Sequence, residues 1–146
     1  MRNNKEGEST PTLIRVLWVD DQPRRFLSLK SRLEEKIGGE IEFISSAEKA
    51  LEILEKKAKE NNLPDIILSD FSMPPGVTGL KFAEAIRAHE DERIKSLPFC
   101  LVSGFPFTNS ELEKFEKLEV SILDKIEALT EPQKIRQVYK ESKRRD

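Results

Sequence analysis

The stretch LPDIILSDFSMPPGVTGL, residues 63–80, decides the fold class. Leu63-Pro64 is an extended dipeptide, because a proline ring crowds the preceding residue out of helical geometry. It leads into a short strand, Asp65 to Ser69, in which Ile66, Ile67 and Leu68 are consecutive apolar residues. A brief apolar run between turn signals reads as a strand buried on both faces, the habit of a parallel sheet. Asp70 closes the run, and FSMPPGVTG follows as a Pro- and Gly-rich loop. A helix is predicted from about Leu80, with Phe82, Ala83 and Ile86 on one face.

The same strand-then-helix unit repeats outward in both directions. Upstream, Leu13 to Val19 reads as a buried strand closed by Asp20-Asp21. Pro23 to Ile37 places Phe26, Leu29, Leu33 and Ile37 at helical spacing, and Gly38-Gly39 ends that helix. Ile41 to Ile44 is a second strand. Ser45 with Glu48 has the pattern of a capping box, for a helix carrying Ala47, Ala50, Leu51, Leu54 and Ala58 and ended by Asn61-Asn62. Downstream, Leu97-Pro98 precedes a fourth strand, Phe99 to Ser103. Ser110 with Glu113 is expected to cap a helix bearing Leu112, Phe115 and Leu118, and Val120 to Leu123 is a fifth strand. Thr130 with Gln133, and Pro132 near the first turn, are expected to start a last helix with Ile135, Val138 and Tyr139. Strands alternating with helices imply a parallel sheet covered on both faces, and right-handed crossovers reduce the topologies to a few doubly wound ones.

Length and composition bound the function. The chain has 146 residues, 37% hydrophobic and 36% charged, which fits one α/β domain. Residues 1–12 are polar and read as a disordered arm, and 13–146 as the domain. A net charge of −2 gives no reason to expect nucleic acid or a membrane as partner. The start lacks a signal-peptide core, no apolar run approaches the roughly 20 residues that span a bilayer, and the lone Cys100 suits a reducing compartment. A cytoplasmic location is the expectation. With Cys100 and His89 the sole residues of their types, a zinc site or a Cys–His nucleophile is not credible. His89, in the charge run AHEDER, reads as a surface residue, and there is no GxxxxGK phosphate loop.

In an open parallel sheet, ligands bind beyond the carboxyl ends of the strands. Those ends carry Asp20-Asp21, Asp70, Ser103-Gly104 and Asp124-Lys125. Clustered carboxylates repel one another, and a hard divalent cation such as Mg²⁺ relieves this while also taking a phosphate oxygen. A carboxylate so placed can attack phosphorus and form an aspartyl phosphate. A lysine balances phosphate charge and a serine hydroxyl donates to a phosphate oxygen. Asp124 reads as a solvated neighbour.

At this point the chain resembles the response-regulator receivers of two-component signalling, over roughly Leu13 to Tyr139. The resemblance rests on VDD at the end of the first strand, LPDIILSDFSMP around the third, FCLVSG at the fourth and ILDK at the fifth. It implies a flavodoxin-like, five-stranded doubly wound parallel sheet of order 2-1-3-4-5 with helices on both faces. It implies Asp70 as phosphoacceptor, assisted by Ser103 and Lys125. It implies Mg²⁺ held by Asp21 and Asp70 directly, by Asp20 mainly through water, and by the backbone carbonyl of Ser72. The function implied is a phosphorylation-dependent switch rather than an enzyme acting on other molecules. Its partners would be a sensor histidine kinase or phosphotransfer protein and a downstream target protein.

The pattern also departs from the family. Ile126 stands where proline usually follows the lysine, and Ile122 where an aromatic residue is common. The loop after Asp70 holds one extra residue before Gly79. These departures favour a second reading, a pseudo-receiver that acts as a constitutive interaction module; the full Asp, Asp, Asp, Ser, Lys set argues against it. A third, a Mg²⁺-dependent phosphatase with an Asp nucleophile, is disfavoured because such enzymes show D-x-D after the first strand. Phe105, two residues beyond Ser103, is large and apolar and is expected to fold over the site and shield it from water.

Overall fold

The computed structural model describes residues 13–72 and 78–144. The arm at 1–12 and most of the loop after Asp70, with its extra residue, lie outside the described residues. The strands are β1 (Ile14–Val19), β2 (Gly39–Ile44), β3 (Ile66–Asp70), β4 (Phe99–Ser103) and β5 (Ser121–Asp124). They form one sheet of order β2-β1-β3-β4-β5 with every neighbouring pair parallel. The expected 2-1-3-4-5 topology is what the chain adopts.

Side chains alternate faces along a strand, so each central strand feeds two cores. Leu17 and Val19, Ile67, and Phe99 and Leu101 pack with Ala50 and Leu54 of α2 (Ala47–Lys59), Phe82 and Ile86 of α3 (Gly79–Arg87) and Phe115 of α5 (Asn109–Lys117). Ile14, Val16 and Trp18, Ile66 and Leu68, and Cys100 and Val102 face the other way. They meet Leu33 and Ile37 of α1 (Lys30–Ile37) and Ile135, Val138 and Tyr139 of α7 (Gln133–Arg144). β1, β3 and β4 are buried on both faces, whereas β5 at the sheet edge alternates half-buried and exposed residues.

Several boundaries differ from the sequence reading, each for a local reason. The segment from Pro23 begins as a 3₁₀ helix, Pro23–Leu29, and becomes α-helical only at Lys30. The cap of α2 is Ser46, not Ser45: its hydroxyl accepts from the Lys49 amide at 3.2 Å, because burying Ala47 in the core starts the helix there. The cap of α5 is Thr108, not Ser110. Thr108 and Glu111 form a reciprocal capping box, and Phe107, packed on Phe71 and Phe115, fixes the entry of the chain just before it. Thr130 caps nothing; its hydroxyl donates to the Ile126 carbonyl at the end of an extra helix, α6 (Lys125–Thr130), which precedes α7. The last two residues of AHEDER open a short helix, α4 (Glu92–Lys95), and His89 is no free surface residue: Nε2 pairs with Glu55 and Nδ1 accepts from the Asp91 amide.

Geometry dictates Gly38 and Gly79. Gly38 ends α1 at φ 74°, the left-handed conformation that costs a side chain energy. Gly79, first residue of α3, has its Cα so close to β3 that a Cβ would lie 2.4 Å from the Asp70 carbonyl oxygen. Its N–H donates to the Phe71 carbonyl at 2.9 Å, which pins the start of α3 against the end of β3.

Cys100 tests the burial of an inner strand. It is fully buried on β4, and burial alone pushes its thiol up to about 12. A disulfide reagent at pH 8 is expected to leave it unmodified in the native protein and to titrate one thiol after denaturation; rapid native labelling would contradict a closed core at β4.

Candidate functional site

The strand pattern that builds the core also delivers the acids. Asp20 follows β1 two residues after Trp18 and shares its side, and Asp70 is the last residue of β3. Asp20 is 2% exposed, although ionisable side chains are seldom buried without a partner. Its partner comes from the far end of the sheet. Lys125 Nζ lies 3.2 Å from Asp20 Oδ2 and 3.3 Å from Asp70 Oδ2. The other Asp20 oxygen, Oδ1, accepts from the Gln22 amide at 2.7 Å.

The topology explains the meeting. Asp20 and Lys125 are 105 residues apart, yet β1 and β3 are neighbours and β4 alone separates β3 from β5. Asp124 positions the lysine. Its Oδ1 accepts from the amides of Ile126 and Glu127 at 2.9 and 3.2 Å, so it caps α6 and makes Lys125 the first helical residue. Asp124 is therefore a structural cap and not the merely solvated neighbour expected from sequence. Ile126, where proline was expected, supplies an N–H that a proline lacks.

Asp20, Asp21 and Asp70 each offer a carboxylate oxygen within 4.8 Å of the others. Burial raises the Asp70 carboxyl above its ordinary range; Lys125 pulls it back, and Asp20 and then Asp21 raise it further. Among the described residues, Lys125 is the ammonium bonded to two of these three carboxylates, so the acids outnumber it. That donor set, three carboxylates offering only oxygen, fits a hard divalent cation. Ser72 is exposed at the start of the loop, two residues past Asp70.

Ser103 stands at the rim. Opposite Asp70 on β4 is Val102, and Ser103 is the next residue. Its hydroxyl donates to the Phe105 carbonyl at 2.9 Å and accepts from the Phe105 amide at 3.1 Å, so it closes a local turn instead of hydrogen-bonding Asp70 or Lys125. Phe105 itself is 82% exposed, which overturns the expected shielding: the turn held by Ser103 leaves the ring in solvent instead of over the acids. A cavity of about 490 Å³ beside it is lined by Ser103, Phe107, Leu112, Ile122 and Glu127 among others.

The sequence reading missed one neighbour. Phe26, assigned to a helical core face, sits with its ring centroid 5.6 Å from Lys125 Nζ. The available signal was Pro23, two residues after Asp21, which marks a turn and not a straight helix.

A sequence model of the response regulator receiver domain family matches residues 16–138. The chain belongs to that family. Among curated proteins, this receiver is 34% identical over 98 residues to a sensor protein, GacS of Pseudomonas syringae pv. syringae. The match covers 66% of this chain and 10% of GacS, so the chain spans about a tenth of that relative's length. Solved structures share the fold. A CheY-like receiver domain protein from Methanospirillum hungatei superposes with a TM-score of 0.68 at 19% identity, covering 92% of this chain and 99% of that one. A receiver from Clostridium thermocellum gives 0.68 at 19%, over 91% and 96%. The receiver domain of the histidine kinase CKI1 from Arabidopsis thaliana, solved with Mg²⁺, gives 0.64 at 23%, over 88% and 95%. The receiver is thus a two-component signalling domain with a flavodoxin-like fold.

The site's electrostatics make a stability prediction. A carboxyl whose folded pKa is raised costs the fold stability at neutral pH, and that cost vanishes as pH falls and the folded state takes up the proton first. Asp70→Asn is therefore expected to raise the melting temperature at pH 7 with a chelator present, the gain shrinking toward pH 4. A lower melting temperature at pH 7 would mean that the ion pair with Lys125 outweighs burial and repulsion.

Proposed function

We propose that this receiver accepts a phosphoryl group onto Asp70 and signals through protein–protein contact. The observation that carries this reading is the Lys125 ammonium, bonded at once to Asp70 and to the buried Asp20. It sets a cation beside the one acid that terminates a central strand. Asp70 Oδ attacks phosphorus, the bond from phosphorus to the donor's phosphohistidine nitrogen breaks, and the released imidazole takes up a proton from solvent. Asp21 and Asp70, with Asp20 in support and the Ser72 carbonyl, would hold Mg²⁺, which supplies charge neutralisation for the carboxylates and the incoming phosphoryl oxygens. Lys125 stabilises the negative charge on the transferred group. Ser103 donates to it once its hydroxyl leaves the Phe105 backbone, and that release couples the site to the loop bordering the cavity at Phe107 and Leu112.

The family and the likeness to a sensor protein support a histidine kinase or phosphotransfer protein as donor. The CKI1 receiver's Mg²⁺ supports the metal. No helix among the described residues is long and apolar enough to cross a membrane. We place the receiver in the cytoplasm, where such donors carry their phosphate, and assign it no activity beyond its own phosphorylation and dephosphorylation. The engaged Ser103 hydroxyl favours the second reading, a pseudo-receiver docking without phosphate, and the same experiment separates the two.

Incubated with acetyl phosphate and Mg²⁺, the wild type is expected to gain the mass of one phosphoryl group and Asp70→Asn none. Equal labelling of both would remove Asp70 as acceptor, and no labelling of either would favour the pseudo-receiver. For the metal, Asp21→Ala is expected to weaken Mg²⁺ binding by about tenfold or more, the range for loss of an orienting or coordinating group. Titration followed by Trp18 fluorescence or amide shifts measures this, and an unchanged affinity would exclude Asp21 as a ligand.

A further inference from the structure

Lys125 has a third partner besides its two carboxylates. An ammonium carries three protons. Asp20 and Asp70 take two directions, and the face of Phe26, 5.6 Å from Nζ to ring centroid, takes another. That separation is within the reach at which a ring's negative face attracts a cation.

The ring is held from behind. Trp18 and Phe43 stand opposite each other in the β1–β2 register, with centroids 5.5 Å apart. Phe26 stacks on both, at 5.7 Å and an interplanar angle of 27° in each case, and is 4% exposed. The chain reaches that place in three steps. Asp20 Oδ1 holds the Gln22 amide, Pro23 opens the 3₁₀ helix, and one turn of three residues brings Phe26 back over β1. The acid that binds Lys125 through Oδ2 therefore also directs, through Oδ1, the segment that carries the ring.

We propose that Phe26 is a positioning residue for Lys125, keeping the ammonium at the strand ends while its charged partners change. This rests on the reading of Asp70 as acceptor. When Asp70 becomes an acyl phosphate, its carboxyl loses the charge that held Lys125, and the ammonium must turn to a phosphoryl oxygen. A lysine stem is long and flexible and would swing toward water. The Phe26 ring changes neither charge nor position during transfer, because the rings of Trp18 and Phe43, packed on each other, fix it. It also shuts water from one side of the ammonium, which strengthens the attraction to the transferred oxygens.

Phe26→Leu keeps an apolar side chain and removes the ring face; Phe26→Tyr restores the face. With acetyl phosphate and Mg²⁺, Phe26→Leu is expected to phosphorylate about threefold to tenfold more slowly, the span that a partly shielded cation–ring contact corresponds to, and Phe26→Tyr to return to within about twofold of wild type. Independently of activity, the Lys125 ε-methylene protons, assigned by their loss in Lys125→Met, are expected upfield of other lysines in the wild type and in Phe26→Tyr, but not in Phe26→Leu. Equal rates in wild type and Phe26→Leu would overturn the proposal, as would failure of Phe26→Tyr to recover. An unshifted Lys125 methylene in the wild type would overturn it without any variant. Absent labelling of the wild type beside a shifted methylene would instead defeat the Asp70 reading, and the role in transfer with it.

Discussion

The rest of the site depends on one ammonium. Lys125 sits between a carboxylate almost wholly removed from water and a second that ends the central strand. Without it, Asp20 would be a buried charge without a counter-charge, and Asp20 and Asp70 would repel in a medium that screens poorly. Lys125 bonds two of the three clustered acids, and burial holds Asp70 above its ordinary range. A cluster of acids at the strand ends is what the proposed binding of a cation and a phosphoryl group at Asp70 calls for.

The fold contributes direction as much as stability. All strands run parallel, so their carboxyl ends lie along one edge, and the period of two sends Trp18 into one core while Asp20 leaves the sheet on the same side. Helix starts then fix what the strands deliver. Asp124 caps α6 so that Lys125 leaves from its first position, and Gly79 lets α3 begin against the Asp70 carbonyl where no side chain would fit. These contacts join the sheet edge to the loops around it. Asp70 and its partner Lys125 thus each sit at the start of a helix.

The opposite rim is built differently. Ser103 spends its hydroxyl on the Phe105 backbone, and the cavity next to it has an apolar border of Phe107, Leu112 and Ile122. Ile122, at the position where an aromatic residue is common in receivers, is 41% exposed on the edge strand. Beside Lys125, by contrast, the aromatic contact comes from the stack of Trp18, Phe26 and Phe43.

The sequence by itself determined the five strands, their parallel run and the acids at their ends, because strand burial and period-two alternation are local properties written in consecutive residues. It also carried the family, through four short motifs in order. Cap positions such as Ser46 and Thr108 were misread by one or two residues, since neighbouring hydroxyls compete and the burial of Ala47 and Phe107 chooses between them. Only the tertiary structure decided that Lys125 bonds Asp20 across 105 residues, that Asp124 is a cap, that the Ser103 hydroxyl closes its own turn, and that Phe26 leaves a helical pattern to face the lysine. Those contacts are set by sheet order and by how loops turn at the strand ends, distances in space that spacing along the chain does not encode.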